Sequence, residues 1–148
     1  MRVRSVALSL LTALALVGST VVASQPATAQ TTLEARLIAK INEARARYGR
    51  APLVPRAGLA EYARSHSGRM AGRTFLFHSD GLTTLCCWSR IGENVGTAPT
   101  VRRVHRAFMA SPAHRANILD GRFRGVGIGI VRVGDQLWVT EVFRAPRG

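Results

Sequence analysis

Apolar residues recur at helical spacing through the first part of the chain and alternate with glycine near its end. Leu33, Leu37, Ile41, Ala44 and Tyr48 form one stripe that predicts a helix over 31–48. Thr31 with Glu34 three residues on reads as a capping box that opens it, and Gly49 as its stop. Arg36, Glu43, Arg45 and Arg47 fall mostly off the stripe. Residues 50–55 carry two prolines and read as a connector anchored by Leu53 and Val54. A second helix is predicted over 57–73, with Leu59, Tyr62, Ala63, His66 and Met70 on one broad side. His66 lies among apolar positions there and reads as a satisfied core histidine in preference to a ligand.

A third helix is predicted over 99–110. Val101, Val104, His105 and Phe108 face inward, and Arg102, Arg103 and Arg106 face solvent. Ser111-Pro112 restarts the chain, serine as cap and proline at the first helical position, for a short helix over 112–119. His114 and Asn117 share a face of it. Val126, Ile128 and Ile130 then alternate with Gly127 and Gly129, and 137–143 is rich in β-branched and aromatic residues. With Gly134-Asp135 between them, the two runs predict an antiparallel hairpin. The alternating glycines leave a strand face without side chains, where another element can come close. Glu141 shares a strand face with Leu137, Val139 and Phe143, and so is expected either to pair with an arginine or to line a cleft. Helices first and strands last imply an α+β domain with helices packed on a small sheet.

Between the second and third helices, 75–96 is rich in turn formers and holds His78, Glu93 and both cysteines. Two readings stand for it: a metal or polar-ligand site built on His78 and Glu93, or a long surface loop whose histidine caps a backbone group.

Composition adds a compartment and a charge. The chain has 148 residues, one domain's length. Arg2 and Arg4, the charge-free run from Val6 to Val17, and Ala27-Thr28-Ala29 read as an export signal over 1–29. The apolar run is too short for a spanning helix, so no transmembrane anchor is expected, and the mature domain is 30–148. The formal charge of +13 is carried almost wholly by arginine, Lys40 being the only lysine. An exported basic protein meets anionic wall polymers and lipid head groups before nucleic acid, so the expected partner is an anionic cell-wall or lipid ligand and not nucleic acid. Codon bias explains the arginine preference as well as phosphate or carboxylate recognition does. Cys86 and Cys87 are adjacent. Neighbouring α-carbons sit closer than a disulfide prefers, and a bond between them could not staple distant segments.

No G-x-S-x-G elbow is present for a serine hydrolase, and nothing around either cysteine marks an activated nucleophile. Paired short Cys/His spacings of structural zinc are absent, as are glycine-rich phosphate loops. An open site from His78, Glu93 and His114 is chemically allowed, since imidazole and carboxylate both bind zinc.

Taken in order, several short stretches resemble the CAP superfamily of cysteine-rich secretory, antigen 5 and pathogenesis-related proteins, also called the SCP domain. They are Ile41-Asn42-Glu43-Ala44-Arg45, Phe77-His78-Ser79, Gly92-Glu93-Asn94, Ser111-Pro112-Ala113-His114-Arg115 through Leu119, and Gly125 to Gly129 before Trp138 to Phe143. The serine-proline-x-His-Arg run points to the bacterial branch. The resemblance implies a three-layer α-β-α sandwich, secretion, and a cleft in which many members carry two histidines and two glutamates, some binding zinc. His78 and Glu93 match the first pair. The second glutamate would fall near Ser111 and the second histidine near Phe123, so the tetrad is incomplete and only a weak metal site at His78 and Glu93 is implied. No cofactor is certain, zinc being the candidate, and no catalytic residue is assigned. The expectation is a secreted, non-enzymatic binding module whose cleft of His78, Glu93 and His114 takes a lipid, sterol-like or cell-wall ligand. The alternative is a metal-assisted hydrolase of peptides or wall polymers.

Overall fold

The computed structural model describes residues 27–147, with side chains from Thr31 on. The expected export signal, 1–29, lies outside the described residues apart from Ala27–Ala29, which form the start of the first helix. In chain order the elements are α1 (Ala27–Arg47), β1 (Val54–Pro55), α2 (Ala57–Arg73), a 3₁₀ turn (Leu82–Thr84), β2 (Trp88–Ala98), α3 (Val101–Ala110), α4 (Pro112–Leu119), β3 (Gly125–Val133) and β4 (Gln136–Pro146).

The four strands form one sheet in the order β1-β3-β4-β2. β3 and β4 are the expected hairpin, in register from Gly125↔Arg144 to Val133↔Gln136. β1 pairs parallel with β3 through Val54↔Gly125. Leu53 therefore enters the core, whereas Val54 is half exposed and does not anchor the connector as expected.

The sheet is covered on both faces, giving an α-β-α sandwich. On one face Leu37 and Ile41 of α1, Val104 and Phe108 of α3, and Ile118 of α4 pack on Ile128, Ile130, Val139 and Phe143. On the other, Leu59 and Ala63 of α2 pack on Val142. α2 lies almost against the backbone of β3. A Cβ at Gly127 would fall 2.2 Å from Leu59 C, and one at Gly129 would fall 2.1 Å from Ala63 C. Ser67 takes the same close approach: its hydroxyl donates to Gly129 O at 2.9 Å and lies 2.9 Å from the Thr140 hydroxyl, which can donate to it in turn. The glycine face expected from the sequence is thus the seat of a helix.

One expectation changes on contact with the structure, and two features the sequence left open appear. The capping box is absent: α1 begins before Thr31, and the buried Glu34 carboxylate accepts a bidentate pair from Arg64 of α2 at 2.6–3.1 Å. Arg45 is not on the solvent side. It is 0 % exposed, and its guanidinium donates to the carbonyls of Ala51, Ile118, Asp120 and Phe123 at 2.7–3.4 Å. The helix stripe shows which positions are apolar, but a buried cation that closes a loop onto two other segments leaves no periodic trace. Cys86 and Cys87, whose state the sequence leaves open, are bonded to each other, and Cys87 lies in the left-handed region at φ 70°. The bond joins no distant segments.

Candidate functional site

The turn-rich stretch of the sequence divides in two. His78 does lie in loop, but Glu93 is in β2, an outer strand whose other neighbour is solvent or helix. Register with β4 runs unbroken from Arg90↔Ala145 to Ala98↔Leu137, which makes 90–98 strand despite its glycines.

The loop that carries His78 is tethered at its root. His66, fully buried as expected of a core histidine, meets Phe77 O through Nε2 at 2.8 Å, while Arg69 meets its Nδ1 at 3.0 Å. The His66 ring also stands edge-on to Phe77, 5.0 Å between centroids. With Phe77 fixed, His78 Nδ1 reaches Glu93 Oε1 at 2.8 Å. Ser79 adds two contacts: its amide donates to Glu93 Oε1 at 2.9 Å and its hydroxyl to Oε2 at 2.7 Å. The Glu93 side chain is 3 % exposed and that of His78 is 65 % exposed. The carboxylate is thus an anchor set in the wall, and the imidazole projects from it with Nε2 outward. A carboxylate behind a histidine fixes ring orientation and leaves the far nitrogen for a ligand.

The opposite side of β2 belongs to α4. Alternation turns Asn94 away from Glu93. Its Nδ2 donates to His114 O at 3.1 Å and to Glu141 Oε2 at 2.8 Å. Asn117 Nδ2 donates to Asn94 Oδ1 at 2.9 Å and to the backbone oxygen of Glu93 at 3.1 Å. Asn117 thereby covers the outer edge of β2 just where Glu93 sits, and edge carbonyls left bare would recruit other strands. Through this amide pair α4 is held so that the His114 ring lies 4.9 Å from that of Phe108. Burial, and then repulsion from His78, hold the His114 imidazole below its usual pKa. His78 and Glu93 are therefore in direct contact, and His114 sits on α4, which is held to the same strand through Asn94 and Asn117.

Glu141 departs from both readings of the sequence. It is fully buried and has no arginine: Oε2 accepts from Asn94, and Oε1 has no partner. Burial pushes its carboxyl up to about 8, against the pull of the Asn94 bond. Nor does it reach the surface, where a ligand could meet it: it lies beneath Asn94.

Ser79, Asn94 and Asn117 were not assigned to a carboxylate-and-edge network from the sequence. The alternation of β2 would have separated Glu93 from Asn94 had the strand been recognised. As a metal centre the donor set fits poorly. Among the described residues no three His, Cys, Asp or Glu side chains are grouped to hold an ion. Both Glu93 oxygens already accept hydrogen bonds from His78 and Ser79, which leaves His78 Nε2 as the free donor of the expected pair.

A family model described as the cysteine-rich secretory protein family, CAP, matches residues 38–143. An extracellular SCP-domain protein from Bacillus anthracis superposes with a TM-score of 0.67 at 22% identity, covering 78% of this chain and 41% of its own. A cysteine-rich secretory protein from Staphylococcus aureus gives 0.64 at 22% identity, covering 81% of this chain and 40% of that one. This chain thus spans about two-fifths of the length of each. An outer surface protein from Borrelia burgdorferi gives 0.72 at 13% identity, covering 84% of this chain and 98% of its own. No curated protein matches in sequence. Among the described residues no helix is long and apolar enough to cross a membrane.

Proposed function

The chain belongs to the cysteine-rich secretory protein (CAP) family, and on that premise we propose that it is a secreted, non-enzymatic binding module of the bacterial branch. Its cleft at His78, Glu93 and His114 takes a lipid, sterol-like or cell-wall ligand. What supports this most is the state of Glu93, whose carboxylate accepts three hydrogen bonds from His78 and Ser79. A carboxylate so engaged is poorly placed to take a proton from water or to close a metal shell, and a catalytic zinc normally keeps three protein ligands. It serves better to orient His78, whose exposed Nε2 can donate to or accept from a hydroxyl or anionic group. Zinc binds such a site weakly.

The two imidazoles are what favours the rival reading, a metal-assisted hydrolase. Calorimetric titration with zinc, repeated on His78→Ala and Glu93→Ala, decides between them. Binding tighter than about 10⁻⁸ M (roughly −11 kcal/mol) with zinc-dependent cleavage of a peptide or wall polymer, lost in both variants, would replace the binding-module reading with the hydrolase. Export is tested separately by intact mass, which should place the mature amino terminus at Gln30.

A further inference from the structure

A cavity of about 590 Å³ opens between α1 and α3, and none of His78, Glu93 or His114 lines it. Arg36 and Lys40 reach it from successive turns of α1, Arg102 from the start of α3, and Arg132 from the end of β3. Among the described residues none of these four side chains makes an ion pair or a hydrogen bond. The acid on the same wall, Glu43, is engaged by Arg47 at 2.7 Å. Like charges four apart on a helix repel, so Arg36 and Lys40 oppose each other with nothing between them to offset it. The floor is apolar, made by Leu33 and Val101, the latter part of the core.

We propose that this cavity is a second binding site, for a phosphate ester, with Arg36, Lys40, Arg102 and Arg132 as its clamp. A carboxylate presents two oxygens in one plane, which a single guanidinium fork satisfies. A tetrahedral phosphate presents oxygens on several sides, and so uses cations arriving from three separate elements. The two arginines from α3 and β3 supply forks, and Lys40 supplies a point charge. The organic part of the ester lies on Leu33 and Val101. The site is independent of the cleft proposed above.

Calorimetric titration of the full chain with sn-glycerol 3-phosphate is the test, run beside sedimentation with phosphatidylcholine vesicles with and without phosphatidylglycerol. Saturable binding of the soluble ester is expected, weakening as salt is raised. The Arg102→Gln, Arg132→Gln double variant should lose at least about tenfold in affinity. Arg103→Gln, on α3 but away from the cavity, should stay within about twofold, with unchanged melting temperature. Binding confined to phosphatidylglycerol vesicles, with the same pattern among variants, assigns the phosphate to a lipid head group. No saturable binding to either probe overturns the site. Equal loss in Arg103→Gln overturns it too, because the attraction would then belong to the basic surface as a whole.

Discussion

Replacing Glu141 by glutamine should flatten the pH dependence of stability. The carboxyl is fully buried, holds one hydrogen bond, and titrates near 8 in the fold against 4.5 when solvated. At about 1.4 kcal/mol per pH unit, the gap amounts to on the order of 5 kcal/mol in favour of the protonated form. Between those two values the folded chain holds a proton that the unfolded chain has lost, so stability falls as pH rises. From pH 5 to pH 8 the loss is about 4 kcal/mol. His105 and His114 act oppositely. Burial holds both below their solvated value, so the unfolded chain binds the extra proton and their contribution grows with rising pH. The difference between wild type and Glu141→Gln removes them. Glutamine keeps an oxygen for Asn94 and places its amide nitrogen where Oε1 has no partner, which costs about 1–3 kcal/mol at every pH. The slope is therefore the readout, not the absolute value. Urea denaturation at half-unit steps from pH 5 to 8.5 should show the variant gaining on wild type by about 4 kcal/mol. Parallel curves for the two proteins would refute the reasoning and mean that the buried carboxyl has another source of compensation.

Arg45→Met should cost about 3–5 kcal/mol in equilibrium denaturation, because it orphans four carbonyls from three segments; a loss under about 1 kcal/mol would show that water replaces the guanidinium. Gly129→Ala should unseat α2 and lower the melting temperature sharply, since its methyl meets the Ala63 and Arg64 backbone. Gly68→Ala, in α2 with nothing within 4 Å, should instead stabilise by up to about 1 kcal/mol, and the two alanines melting alike would contradict the close approach. Cys86→Ser with Cys87→Ser should change stability by less than about 2 kcal/mol, for a bond between neighbours removes little freedom from the unfolded chain. Failure of that double variant to fold would assign the pair a further role.

What the sequence made legible is what short-range periodicity encodes. The stripe from Leu33 to Ala44, the Ser111-Pro112 restart and the 125–146 hairpin are each fixed by residues a few places apart, and each stands in the structure. β2 was read as loop because its glycines suggest turns. Gly92 and Gly96 are there for proximity instead: a Cβ would come 2.9 Å from Asn117 Oδ1 at the first and 2.7 Å from Phe108 Cε1 at the second. Its strand character comes from β4, which pairs with it across 39 to 58 residues of chain, and no local pattern carries that. Separation in sequence likewise hides Arg64, 30 residues on, from Glu34 and Asn94, 47 residues back, from Glu141, which is why a capping box, and an arginine pair or a cleft position, were expected in their places. The pairing of His78 with Glu93 was legible as a family pattern. The engagement of Ser79 by both its amide and its hydroxyl was not.

The seat of α2 on bare backbone divides the molecule by how much change each side can absorb. Where a helix rests on Gly127 and Gly129, added volume has nowhere to go, and drift at those positions is closed off. The opposite layer, three helices with cavities between and beside them, is the side on which new side chains can be tried. Related chains should therefore differ in what they hold mainly through residues of α1, α3 and α4. A library aimed at new ligands belongs on those helices, with α2 left as the fixed back of the domain.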